Sequence, residues 1–83
     1  MSKITIRYFA AAAAAAGTEQ ELWSKPETLA QLRAELSEAY GPAMAQVLRA
    51  GSFLINGVVR RDAGALGTDE PLTVDVLPPF AGG

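Results

Sequence analysis

The sequence closes on Pro78-Pro79-Phe80-Ala81-Gly82-Gly83, and the α-carboxylate at its end is the best candidate for a reacting group. Each proline ring locks φ and removes an N–H donor, so the pair forms an extended, polyproline-like stem. Phe80 adds one aromatic anchor, and Ala81, Gly82 and Gly83 then thin the chain. Glycine has no Cβ, so this tip can enter a channel too narrow for other residues, and nothing beside the carboxylate hinders attack on it. A stiff stem with a thin tip suits insertion of a C-terminus into another protein's active site. The plain alternative is a frayed terminus, which is common in domains. The rigid Pro-Pro-Phe directly behind a strand speaks against it.

Little else in the chain could do chemistry. There is no cysteine and no histidine. That excludes a disulfide framework, a zinc site of the usual Cys/His kind, and histidine-based acid–base or nucleophilic catalysis. Asp69-Glu70 could suggest paired carboxylates, but only Asp62 accompanies them in their loop, and they read as a solvated stretch. The net charge is −2 and the only lysines are Lys3 and Lys25. This is no electrostatic footprint for nucleic acid. No apolar run approaches the roughly 20 residues that span a bilayer. Lys3, Arg7 and the alanines after Phe9 faintly resemble a signal peptide, but residues 3–9 read better as a strand.

The elements that must position the tail are legible from spacing. At 83 residues and 49% hydrophobic, the chain is one small domain, expected to run over residues 1–77 with the tail at 78–83. Residues 3–9 alternate, with Ile4, Ile6 and Tyr8 on one face and Lys3, Thr5 and Arg7 on the other. Phe9 is expected to tuck under the following loop. Ala10 to Ala16 is helix-favouring but short, and predicts a brief turn on the body, stopped by Gly17. Residues 19–23 form a second strand in which Leu22 and Trp23 oppose each other, and Trp23 is expected to cover the rim of the core rather than to serve as a binding hot spot.

Residues 28–40 are the main helix. Thr28 and Gln31 make a capping box, Leu29, Leu32, Leu36 and Tyr40 form the apolar stripe, and Gly41-Pro42 stops it. A further turn or two follows over 42–49, with Met44, Val47 and Leu48 inward. Residues 52–61 form a hairpin around Asn56-Gly57, a type I′ turn signal. In the last strand, 72–77, Leu72, Val74 and Val76 face the core while Thr73 and Asp75 face out. That strand is expected to be central, because it holds the tail at a fixed angle.

This order predicts an α+β fold: a mixed sheet of about five strands with one main helix across one face. The last strand can pair parallel to the first, which is the β-grasp (ubiquitin-like) arrangement. A ferredoxin-like layout is the runner-up, but it needs a second full crossover helix.

Val74-Asp75-Val76-Leu77-Pro78-Pro79-Phe80-Ala81-Gly82-Gly83 resembles the C-terminus of the small subunits of molybdopterin synthase, which are ubiquitin-like sulfur carriers. The resemblance extends to Arg7-Tyr8-Phe9-Ala10, the leucine helix and Phe53-Leu54-Ile55-Asn56-Gly57. The Pro-Pro-x-x-Gly-Gly ending is its specific part. It implies that an adenylyltransferase similar to ubiquitin-activating enzymes uses ATP to adenylate Gly83. A sulfur donor then makes the thiocarboxylate, which the tail carries into the large synthase subunit to sulfurate a pterin precursor. In that picture Gly83 carries the sulfur, Gly82 and Ala81 give clearance, and Phe80, Pro79 and Pro78 anchor and aim the tail. Phe53, on the exposed face of the sheet, is a candidate partner contact. The resemblance further implies a cytoplasmic heterotetramer, no tightly bound cofactor, and an active site on the large subunit. Sulfur delivery to thiazole or cysteine synthesis, a ubiquitin-like modifier and a plain binding module are the alternatives. A free-standing enzyme is the weakest reading, for want of a nucleophile–base pair.

Overall fold

Alternation of apolar and polar residues builds the first strand, β1 (Lys3–Tyr8), with Ile4, Ile6 and Tyr8 buried. The computed structural model describes residues 3–67 and 71–79. After β1 come α1 (Ala11–Ala16), β2 (Gln20–Ser24), α2 (Leu29–Tyr40), α3 (Pro42–Ala50), β3 (Ser52–Ile55), β4 (Val58–Arg60) and β5 (Leu72–Leu77). The sheet order is β2-β1-β5-β3-β4. β5 is therefore central, parallel to β1 with Ile6 opposite Val74, and antiparallel to β3 with Phe53 opposite Val76. This is the β-grasp arrangement expected from the sequence.

One face of the sheet carries the core. Leu29, Leu32 and Leu36 of α2 and Met44 and Leu48 of α3 pack onto Ile4, Ile6, Phe53, Val74 and Val76. Each buried leucine contributes about 2 kcal/mol before chain entropy is counted. α3 follows the expected 42–49 closely and ends one residue later, with Pro42 at its start and Met44 and Leu48 buried. The alanine run is a six-residue helix rather than a bare turn. Gly17 caps it in the left-handed region at φ 74°, and Ala12 is fully buried, so tertiary packing supplies what so short a helix lacks alone.

The N-terminus of α2 departs from the capping box in one detail. The Gln31 amide N–H donates to Thr28 Oγ1 at 3.1 Å, but Gln31 Oε1 accepts from the N–H of Glu27 instead of that of Thr28. Thr28→Ala removes this cap and should lower stability by about 1 kcal/mol, read as a lower urea midpoint with an unchanged m-value.

Candidate functional site

The candidate site is the root of the tail, and β5 positions it. At the strand's beginning Asn56 acts as a clamp. Its Oδ1 accepts from the Thr73 N–H at 2.7 Å, its Nδ2 donates to the Pro71 carbonyl, and its own N–H donates to the Thr73 carbonyl at 2.9 Å. Asn56 holds φ 48° and Gly57 φ 87°, as the type I′ turn requires. The sequence showed the turn and missed the clamp, because the second half of the contact lies 17 residues on.

At the strand's end Leu77 pairs with Ser52, and the Val76 carbonyl accepts from the Phe9 N–H at 3.2 Å. Gly51, between α3 and β3, lies so close to β5 that an added Cβ would stand 2.0 Å from the Leu77 carbonyl oxygen and 2.8 Å from that of Val47. A missing side chain thus lets the helix end and the last strand residue touch. Pro78 leaves this point half-buried and Pro79 is exposed. Both line a groove of about 590 Å³ together with the alanines of α1 and with Ala43, Val47 and Ala50 of α3. Phe80, Ala81, Gly82 and Gly83, the residues assigned the chemistry, lie outside the described residues, as do Asp69 and Glu70.

The sheet face away from the helices is open, and two expectations about it change. Phe53 is 1% exposed and on the core face, opposite Val76, with the Arg33 guanidinium 4.9 Å from its ring centroid. It is a core residue, so it cannot be the surface contact proposed for it. Strand alternation puts Leu54 and Leu77 on the open side instead. Phe9 does not tuck under a loop: it is 40% exposed, and the Arg7 guanidinium lies 5.6 Å from its ring centroid. The loop cannot cover it because Ala10, at φ 51°, turns the chain directly into α1.

Asp75 points to the open face as expected, yet is only 7% exposed. Arg7, its register partner on β1, holds both carboxylate oxygens at 2.7 and 2.8 Å. A bidentate pair of this geometry satisfies a carboxylate that central-strand placement would otherwise strand. Around it lie the apolar side chains of Phe9, Leu54 and Leu77, a mixed surface beside the tail.

On the core side, at the β2 edge, Glu21 accepts hydrogen bonds from the hydroxyls of Tyr8 (2.6 Å) and Tyr40. The Tyr8 and Tyr40 rings meet edge to face at 6.0 Å, and Trp23 tilts against Tyr40 at 6.5 Å. Trp23 covers the rim of the core, as its sequence position suggested. Burial acts to raise the Glu21 carboxyl, but hydrogen bonds from Tyr40, Tyr8 and Trp23 outweigh it and hold the group below its ordinary value. Burial first, then the bond to Glu21, pushes the Tyr8 and Tyr40 hydroxyls up.

The linkage has two limbs. Glu21's depressed folded value gives stability that is present above the ordinary carboxylate range and is lost as pH falls through that folded value. The raised tyrosines give stability that is full below their unfolded value near 10.0 and declines as pH rises above it. Glu21→Gln should therefore flatten the acid limb of a urea-midpoint profile below about pH 4. Equal acid limbs in the two proteins would contradict the cluster.

No curated protein sequence matches the chain. Among solved structures, the small archaeal modifier protein 1 (SAMP1) of Methanosarcina acetivorans shares the fold at TM-score 0.78 and 24% identity, over 100% of this chain and 98% of that one. The Haloferax volcanii HVO 2177 protein matches at TM-score 0.78 and 25% identity, over 99% and 87%. A Pyrococcus furiosus protein assigned as molybdopterin converting factor, subunit 1, matches at TM-score 0.69 and 22% identity, over 96% and 100%. The model of the ThiS family matches residues 6–83, from the second half of β1 through the terminal Gly-Gly. A β-grasp sheet with β5 at its centre and a Pro-Pro-Phe-Ala-Gly-Gly sequence behind it thus belongs to the ThiS family of ubiquitin-like proteins.

Proposed function

We propose that the protein is a sulfur carrier whose C-terminal Gly83 receives and delivers sulfur as a thiocarboxylate, acting as the small subunit of a molybdopterin synthase. One observation carries the reading. The Pro-Pro-Phe-Ala-Gly-Gly sequence leaves from the end of the central strand, whose two ends are fixed by Asn56 and Gly51. A carboxylate is a poor electrophile, so an adenylyltransferase partner transfers AMP from ATP to Gly83 and releases pyrophosphate. A sulfide-level donor then attacks the carbonyl. A C–S bond forms, the bond to AMP breaks, and AMP leaves with the electron pair.

The large synthase subunit supplies acid and base groups to the inserted tail, and the pair assembles as a heterotetramer in the cytoplasm, where ATP is available. Gly82 and Ala81 pass the narrow part of that site, and Pro78, Pro79 and Phe80 set the angle of entry. The mixed surface around the Arg7–Asp75 pair is the docking face. No helix among the described residues is long and apolar enough to cross a membrane.

A second reading follows from the fold shared with a protein described as a modifier. Here the same adenylate would be attacked by a lysine amine, giving an amide.

Intact mass after incubation with ATP, an activating enzyme and sulfide tests both. Replacement of one oxygen by sulfur is expected. Unchanged mass, with the enzyme active on another carrier, would sink the carrier reading. Conjugates without sulfur would favour the modifier.

A further inference from the structure

The centre of the open sheet face holds an ion pair among apolar neighbours. Arg7 grips both oxygens of Asp75, and register sets Leu54 beside Asp75, Val59 beyond Leu54, and Leu77 two residues further along β5. Replacing a buried ion pair by apolar residues of similar volume is often neutral or stabilising, so stability alone does not account for the pair.

The two partners are unequal. The Asp75 side chain is 9% exposed and that of Arg7 48%. The carboxylate is consumed inside the protein, while the guanidinium reaches the surface. Its bonds to Asp75 come from Nε and Nη2, and the N–H groups of Nη1 take no part in the pair. The rigid fork therefore holds a cation at a fixed place and angle. The charge of the face agrees. Among the described strand residues it carries Lys3, Arg7 and Asp75, whereas Glu21 and Arg60 stand opposite the core residues Ile6 and Phe53 and so point the other way. The face is net positive in a chain of net charge −2. Asp75 is three residues before Pro78, about 10 Å along the strand, so a protein that receives the tail also sits over Arg7.

We infer that Arg7 is a specificity-determining contact: the activating adenylyltransferase presents a carboxylate side chain framed by apolar ones, and Arg7 donates to it while still holding Asp75. Asp75 keeps the guanidinium in place, and Leu54, Val59 and Leu77 exclude water around the new ion pair. The inference rests on the carrier reading, in which that enzyme is the first protein to engage the tail.

The test is ATP–pyrophosphate exchange, which needs adenylation but no sulfur. The probe is an adenylyltransferase of the ubiquitin-activating type from the same organism, shown to be active on another carrier. The double variant Arg7→Gln, Asp75→Asn keeps a neutral hydrogen-bonding pair and leaves no buried charge. It should raise KM for the carrier about 10–100-fold, retain the saturating rate and flatten the salt dependence of KM. Asp75→Asn alone keeps the cation and removes the anion of the face, and should lower KM. Arg7→Lys should recover part of the loss. Urea midpoints establish that each variant is folded in the assay. A KM raised alike in Asp75→Asn and the double variant would reduce the pair to a structural role and overturn the proposal, as would a double variant with the wild-type KM. Either result leaves the carrier reading standing. A wild-type chain that supports no exchange would remove the carrier reading, and this contact with it.

Discussion

A chain that stops at Gly82 should fold as stably as the full protein and lose sulfur loading by about a hundredfold or more. The two halves of this expectation have separate causes. β5 ends at Leu77, and the core is complete without the last residue, so the urea midpoint should be unchanged within about 0.5 kcal/mol. Reach is another matter. One residue of extended chain is about 3.3–3.6 Å. Reaction needs the attacking and attacked atoms within roughly 3–3.5 Å, and a misplacement of about 1 Å can slow a step about a hundredfold. The stem has little freedom to recover the loss, because the proline rings of Pro78 and Pro79 lock φ and Leu77 is paired with Ser52.

Gly82→Ala separates reach from clearance. It keeps the length and adds one Cβ, so a smaller loss is expected than from the deletion, and Gly82→Val should lose more than Gly82→Ala. Intact mass and single-turnover loading measure both. Full loading of the shortened chain would mean that the tail does not work by insertion to a fixed depth.

What the sequence made legible follows from which interactions are local. Alternation in β1 and β5, the leucine stripe of α2 and the Asn56-Gly57 turn are each contained in a few consecutive residues, and each appears where expected. Phe53 shows the limit. Alternation says that it opposes Leu54 but not which of the two faces the helices, and an aromatic next to a hairpin can serve either side. Register decides: Phe53 pairs with Val76, a core residue, so it is buried. The burial of Asp75 was likewise hidden, since the guanidinium that covers it comes from 68 positions earlier. Glu21 reads as part of a polar strand until Tyr8 and Tyr40 are placed above it. The tail was the reverse case. The Pro-Pro-Phe-Ala-Gly-Gly pattern that suggests its chemistry lies in consecutive residues, and the fold adds the strand end from which Pro78 and Pro79 leave the sheet.

That aim depends on Gly51, and Gly51→Ala should lower stability by about 1–3 kcal/mol or more while displacing the end of β5. The backbone at Gly51, φ −90° and ψ −161°, is one that alanine adopts freely, so conformational strain contributes nothing. The effect is steric. The new Cβ would lie 2.0 Å from the Leu77 carbonyl oxygen and 2.8 Å from that of Val47, and both belong to the backbone, so no flexible side chain can give way. Either α3 and β5 separate, which opens the core beside Leu48 and Val76, or the Leu77 peptide turns and carries Pro78 with it. Both outcomes redirect the tail.

Gly17→Ala is the matching control. There the φ of 74° imposes a backbone penalty of about 1 kcal/mol, yet nothing lies within 4 Å of the added atom and β5 is untouched. Gly17→Ala should therefore shift the urea midpoint modestly and leave the amide resonances of Val76 and Leu77 in place. Gly51→Ala should move those resonances and slow sulfur loading even under conditions where the variant is fully folded. A Gly51→Ala protein with the wild-type midpoint and unshifted Leu77 would show that the junction of α3 and β5 does not set the tail's direction, and the geometric basis of the carrier reading would have to be sought in the partner instead.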